Sequence, residues 1–254
     1  MITAAVLLIG DELLSGRTQD LNLNYIANRL GEHGIVLQEC RVVPDIEAMI
    51  IEAVKTLSTR NTYVFTTGGI GSTHDDITQP SIAKAFNKPL ITHPEALKLL
   101  EEYYGDHIND ARRRMARAAE GAILHAKMVF QIENVFVMAG IPKVMQEMFE
   151  AILPKLAHAN PILSVTVKAY VLENDLADEL TAMQTAMDRD VTIGSYPFNE
   201  EGHTKGTNLV ARSRDAKKLA EVKEKLQKLV DKKLKSQIVS YLTVSTWLGH
   251  TIQF

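Results

Sequence analysis

The sequence predicts an α/β fold: three αβα layers with a mostly parallel sheet, followed by a small α+β domain. Two observations carry this. Over residues 1–86, strand-like and helix-like segments alternate three times, the order of a parallel sheet with crossover helices on both faces. Beyond the prolines Pro154 and Pro161 the apolar spacing changes to strict alternation, as in half-buried strands. The divisions that follow are 1–160, 165–235 and an apolar C-terminal tail at 236–254.

Ala4 to Ile9 is an unbroken apolar run, as expected of a parallel strand covered on both faces. Gly10-Asp11-Glu12 ends it. Leu23, Ile26, Ala27 and Leu30 then recur at helical spacing. Ile35 to Val43 is a second strand, closed by Pro44-Asp45. Ile46, Met49, Ile50, Ala53 and Leu57 mark the next helix. Tyr63 to Thr67 is a third strand. It runs into Gly68, Gly69 and Gly71, then Asp75 and Asp76. A helix follows from Thr78, whose hydroxyl is expected to cap the amides of Gln79 to Ser81. Pro80 fits its first turn because the missing amide hydrogen has no partner there.

A further helix is entered through His93-Pro94. Asp110 to Ala119 carries Arg112, Arg113, Arg114 and Arg117. Read as one helix, it places Arg113 and Arg117 on one face. The run is either a solvated basic face paired with Glu101, Glu102 and Asp106, or an anion clamp. Short strands are expected at Ala122–Leu124, Val129–Gln131 and Asn134–Met138. Ala139-Gly140-Ile141-Pro142 is another strand-to-helix turn, and Met145, Met148, Phe149, Ile152 and Leu156 give the next helix an apolar face. In the second domain, Val165 to Val171 alternates and a helix spans Leu176 to Met187. Val191–Tyr196 and Thr207–Arg212 form a hairpin with a long loop. A lysine-rich helix runs from Asp215 to about Lys233.

Composition bounds the function. Lys and Arg number 28 against 31 Asp and Glu, a net charge of −3. That balance gives no global attraction to nucleic acid or an anionic membrane, and neither is expected as a partner. Cys40 is the single cysteine and is read as an inert core thiol. The N-terminus lacks a basic region before its short apolar run, and no segment has about 18 consecutive apolar residues. A cytoplasmic location is expected. The tail from Ile238 to Phe254 is expected to dock on the body or on a partner chain, and the protein is expected to form a homo-oligomer.

The strand–glycine turn–helix of Tyr63 to Phe86 is the feature with chemistry in it. Glycines let a ligand approach the backbone, and helix-start amides attract phosphate. The spacing is GGxG, which is neither the dinucleotide fingerprint nor a Walker loop. Adjacent carboxylates add oxygen ligands for a hard cation. Each of the first three strands ends in a polar turn, so carboxylates from all three converge if the strands lie side by side.

Gly68-Gly69-Ile70-Gly71-Ser72-Thr73-His74-Asp75-Asp76-Ile77-Thr78 resembles the GG-x-G-P-T-x-D-D-x-T signature of the molybdopterin-binding-like domain. That domain occurs in competence/damage-inducible proteins of the CinA type and at the N-terminus of some eukaryotic FAD synthases. Ile9 to Gly16 with Asn22, Val43-Pro44-Asp45, and Met138 to Pro142 with Met145 and Phe149 are similar to its other motifs, in order over residues 1–157. Ile193 to Pro197 and Gly206 to Leu209 are similar to the small domain that follows in CinA-like proteins. Ser72 departs from the usual proline, and Lys127 to Phe130 stands where many members have Ala-Pro-Gly-Phe. No segment resembles the amidohydrolase domain of full-length CinA, so nicotinamide mononucleotide deamidation is not expected.

Stand-alone members of that family bind molybdopterin in molybdenum-cofactor assembly. CinA-type domains act as metal-dependent pyrophosphatases on ADP-ribose or related dinucleotides, and the FAD-synthase version is linked to FAD hydrolysis. The resemblance therefore implies a phosphate-bearing ligand and favours hydrolysis of a nucleotide diphosphate bond. Molybdopterin binding, or a non-catalytic nucleotide-binding module, is the alternative. Gly68, Gly69, Gly71, Ser72 and Thr73 would hold phosphate oxygens, with Gly10, Asp11, Asn22, Thr67, Gly140 and Pro142 also at the ligand. Asp45 and Asp76 would hold a divalent metal (Mg, Mn or Co). Asp75, Asp76, Glu12 or Asp11 would serve the chemistry on a water, and Arg17 would add positive charge.

Overall fold

The computed structural model describes residues 1–187, 190–200 and 204–247, the side chains of 204 and 237–247 excepted. It divides into two compact units, 1–160 and 161–254.

The first unit runs β1 (Thr3–Ile9), α1 (Asp11–Leu14), α2 (Asn22–Glu32), β2 (Val36–Val43), α3 (Glu47–Arg60), β3 (Tyr63–Thr67) and α4 (Thr78–Ala85). There follow β4 (Leu90–Thr92), α5 (Pro94–Tyr104), α6 (Asp110–Arg114), β5 (Arg117–Ala119), β6 (Ile123–His125), β7 (Val129–Ile132), β8 (Val135–Met138) and α7 (Pro142–Ile152). Six strands form one sheet in the order β2-β1-β3-β8-β7-β6. Its first four strands are parallel, and β7 and β6 add antiparallel at one edge. β4 and β5 make a separate antiparallel pair.

The apolar run of β1 is explained by its place inside the sheet. Ala5, Leu7 and Ile9 pack on one face with Ile50, Ala53, Val54 and Leu57 of α3 and Ile82 of α4. Ala4, Val6 and Leu8 pack on the other with Ile26 and Leu30 of α2 and Met145, Met148 and Phe149 of α7. Three layers result, as expected. Met145 and Met148 are core residues.

The structure corrects the readings of the basic run and of Cys40. The basic run is not one helix: α6 stops at Arg114 and Arg117 begins β5, so Arg113 and Arg117 share no helix face. Pairing of β5 with β4 supplies the backbone partners that end the helix. Cys40 is exposed and not a core residue, because β2 is an edge strand and alternate positions face out. Its thiol is pushed up to about 11, first by desolvation and then by the Asp20 carboxylate, so it stays protonated.

The second unit runs β9 (Leu163–Ala169), α8 (Ala177–Thr185), β10 (Val191–Glu200), β11 (Thr204–Ser213) and α9 (Ala216–Trp247). Its antiparallel sheet has the order β10-β11-β9. The loop expected between Tyr196 and Thr207 is mostly strand: pairing continues to Glu200 opposite Thr204. Leu219, Val222, Leu226 and Val230 of α9 are buried with Val167, Leu209 and Ala211 of the sheet. Lys218 and Lys233 pair with Asp190 and Glu179. The lysines thus form the solvated side of an amphipathic helix. That helix continues past Lys233 into the segment expected as a tail. The side chains of 237–247 and all of 248–254 lie outside the described residues, so the docking expectation has no structural counterpart. Among the described residues, no helix is long and apolar enough to cross a membrane.

The ring cluster under the sheet is a test of this packing. Phe149 is fully buried with its ring centroid 5.2 Å from Phe65, which stacks on Phe136 at 5.5 Å. Phe149→Ala is expected to destabilise the first unit by about 3–5 kcal/mol, measured by urea unfolding followed by circular dichroism.

Candidate functional site

The chain passes from β1 to β2 on one side, then crosses to β3 on the other side of β1. The chain therefore leaves β1 and β3 in opposite directions at the carboxyl ends of the strands, the edge where open α/β sheets bind ligands. All four parallel strands deliver their following loops to this edge. These loops hold Gly10 to Glu12, Pro44-Asp45, Gly68 to Asp76 and Ala139 to Ile141.

Gly68 is the closest approach. Its φ is +103°, and a Cβ there would stand 2.0 Å from the Ile9 carbonyl oxygen. Its amide donates to the Met138 carbonyl at 3.2 Å, and Gly140 packs against its Cα. The Thr78 hydroxyl donates to the Gly68 carbonyl at 2.9 Å. This corrects the expected cap: Ile77 holds the N-cap position of α4 with no side-chain bond, and Thr78 ties the loop to the helix instead. Gly69, φ +63°, faces the same hydroxyl and leaves no room for a side chain. Thr67 ends β3, buried, and Pro142 opens α7.

Asp76 shapes the rest of the loop. One oxygen accepts from the Gly71 amide at 2.6 Å, and the other from the Thr73 amide at 2.7 Å and the Thr73 hydroxyl at 2.6 Å. Both oxygens are thus committed to the loop, as are two of the donors expected for phosphate. The amides of Gly69, Ile70 and Ser72 have no protein acceptor among the described residues.

The other carboxylates gather at the Gly69 end. The Asp11 amide donates to the Asp45 carboxylate at 3.0 Å, and the Asp45 amide donates to Asp11 at 3.4 Å. Asp45 Oδ1 lies 3.4 Å from the position of a Cβ on Gly69. Glu12 folds back over Gly10, within 2.5 Å of where a side chain there would begin. Desolvation raises the Asp45 carboxyl above its ordinary value, and the charges of Asp11, Glu12 and Asp75 add to the rise. Asp75 is exposed. Of the acids expected to converge, Asp11 and Asp45 from the first two strand ends are in contact, while Asp76 after the third is turned into its own loop. Among the described residues, no three His, Cys, Asp or Glu side chains form a metal cage.

Asn22 is buried at the start of α2. Its amide nitrogen donates to the Gly140 carbonyl at 2.8 Å, joining the first and last loops. Its Oδ1 is buried with no protein partner among the described residues. Arg17 is exposed in the segment after α1. Lys127 to Phe130 runs against α7, with Lys127 paired to Glu147 at 3.1 Å and with Lys127 and Met128 both at positive φ. One contact was hidden in the arginine run. Arg113 pairs with Glu101 and Asp110, as the solvated reading has it, but Arg114 reaches the glycine loop and donates to the Ser72 carbonyl at 3.1 Å.

Fold and loops define an open α/β domain whose chain order reverses at β1, the place where such sheets bind ligands. Residues 5–158 match the family described as "Probable molybdopterin binding domain", and residues 161–238 match the middle domain of FAD synthase. The chain belongs to the molybdopterin-binding domain family and is of the CinA type. A protein of Archaeoglobus fulgidus is 34% identical over 76% of this chain and 84% of its own length. A CinA-like protein of Desulfotalea psychrophila is 29% identical over 78% of this chain, which spans 52% of that relative. The crystal structure of CinA from Thermoplasma acidophilum superposes with a TM-score of 0.57 at 26% identity, covering 60% of this chain and 96% of that one.

Two stability measurements follow from this geometry. Thr78→Val leaves the buried Gly68 carbonyl without its donor, and a loss of about 1–3 kcal/mol is expected in thermal or urea unfolding. Folding raises the Asp45 carboxyl, so its contribution is complete below the unfolded-state value and is lost as pH climbs through the folded one. Asp45→Asn keeps an acceptor for the Asp11 amide without the charge. Calorimetry is expected to give it a higher Tm than wild type at pH 7 and the same Tm at pH 3.

Proposed function

We propose that this chain is a divalent-cation-dependent hydrolase of a nucleotide diphosphate bond, of the kind found in ADP-ribose. The observation that carries the reading is the contact of Asp11 with Asp45, with Glu12 folded over the adjoining Gly10, beside amides suited to phosphate. Carboxylates repel a phosphate, so an anion site built among them calls for a cation between the two. Hard oxygen donors suit Mg²⁺, which takes one or two protein carboxylates and completes its shell with phosphate oxygens and water. Asp11 and Asp45, side by side, fit that role without a third protein ligand. Such a cation neutralises the diphosphate and acidifies a water.

The remaining roles fall to the chain itself. Amides of Gly69, Ile70 and Ser72 hold phosphate oxygens through hydrogen bonds. Asp76 keeps the loop in shape through Gly71 and Thr73. Glu12 and Asp75 are the carboxylates left to orient the attacking water and take its proton. The match of residues 161–238 to an FAD synthase domain supports a nucleotide as the ligand.

A second reading, binding of molybdopterin without turnover, rests on the family match over residues 5–158. It needs one phosphate and no metal. The two readings separate in one experiment. Purified protein is incubated with ADP-ribose or FAD, with and without Mg²⁺, Mn²⁺ or Co²⁺, and AMP is quantified. Cation-dependent AMP release is expected, and Asp45→Asn is expected to lower it by about 100-fold or more, the scale of losing a stabilised transition-state charge. Absence of AMP in every condition, with metal-independent binding of molybdopterin, would establish the second reading instead.

A further inference from the structure

The glycine loop is acidic at its Gly69 end and carries a base at its Ser72 end. Arg114 donates from one Nη to the Ser72 carbonyl at 3.1 Å, and its other guanidinium donors have no protein acceptor among the described residues. Its neighbours are differently engaged. Arg113 lies between Glu101 and Asp110, Arg112 sits 4.4 Å over the Tyr104 ring, and Arg117 donates to the Arg114 carbonyl at 3.3 Å. Arg114 alone of this run is turned to the loop.

Ser72 itself adds two donors at the same place. Its amide and hydroxyl have no protein acceptor among the described residues, and a proline there would offer neither. Gly69 and Ser72 are three residues apart, at most about 10 Å along the chain. A ligand with two linked phosphates can place one at the Gly69 end and the other at the Ser72 end even at that limit.

We propose that Arg114, with the Ser72 amide and hydroxyl, forms a second anion subsite that selects ligands with two linked phosphates over ligands with one. The proposal deepens the first functional reading and rests on its placing of phosphate at the glycine loop. The planar guanidinium keeps one donor on Ser72 while offering others to a phosphate, which a lysine does less well.

The test is calorimetric titration with α,β-methylene ADP-ribose, which cannot be cleaved, and with AMP, each with Mg²⁺. Wild type is expected to prefer the diphosphate analogue. Arg114→Gln is expected to weaken that analogue by about 10- to 100-fold, the range for a hydrogen bond to a charged group. AMP binding should change by less than about threefold, with an unchanged Tm as the control for folding. Arg114→Lys should fall between. An equal loss for both compounds would make Arg114 a structural pin and overturn the proposal, as would no loss for either, or no binding of the analogue by wild type. Arg114-dependent binding without AMP release from ADP-ribose would leave the subsite standing and remove the hydrolase reading.

Discussion

The contact on which the site depends is the approach of Gly68 to the carbonyl of Ile9. Two parallel strands reach the same edge, and the chain must leave β3 with positive φ directly against the end of β1. No side chain fits there. The buried carbonyl this creates is met by Thr78, the amide by Met138, and the far side by Gly140. One glycine thus brings the ends of β1, β3 and β8 and the start of α4 into a single rigid group. The loop from Gly69 to Asp76 stands on that base, and the amides of Gly69, Ile70 and Ser72 inherit their positions from it.

Charge at this edge is arranged against stability. Asp11 and Asp45 hold each other's amides, which places like charges side by side and raises the Asp45 carboxyl further through Glu12 and Asp75. A fold optimised only for stability would not keep a carboxylate at Asp45. Sites that do chemistry commonly carry such a penalty. Asp76 differs in kind: three loop donors surround it, so its charge is satisfied locally and organises backbone. Two adjacent aspartates in sequence thus have separate jobs, one in shaping and one exposed to solvent.

Much of the fold was legible because burial on both faces of a sheet writes unbroken apolar runs, and burial on one helix face writes a 3.6-residue period. The run Ala4–Ile9 and the spacing of Met145, Met148, Phe149 and Ile152 carry that record. Failures came where local pattern and long-range pairing disagree. Arg117 fits a helix by spacing, yet its backbone pairs with Thr92 in another segment. Cys40 fits a core strand by its neighbours, yet β2 is at the sheet edge. Thr78 fits a cap by position, yet the carbonyl ten residues before it takes its hydroxyl.

By itself the sequence determined the strand and helix order, the glycine loop and the set of acids placed at strand ends. These follow from local chemistry: φ preferences, apolar period and turn composition. Only the tertiary structure decided that β1 lies between β2 and β3, which brings Asp11 and Asp45 into contact across 34 positions. It also decided that Arg114, 42 positions from Ser72, belongs to the loop while Arg113 does not. Strand order and helix ends are set by hydrogen-bond partners distant in the chain, and no local pattern encodes which partner is taken.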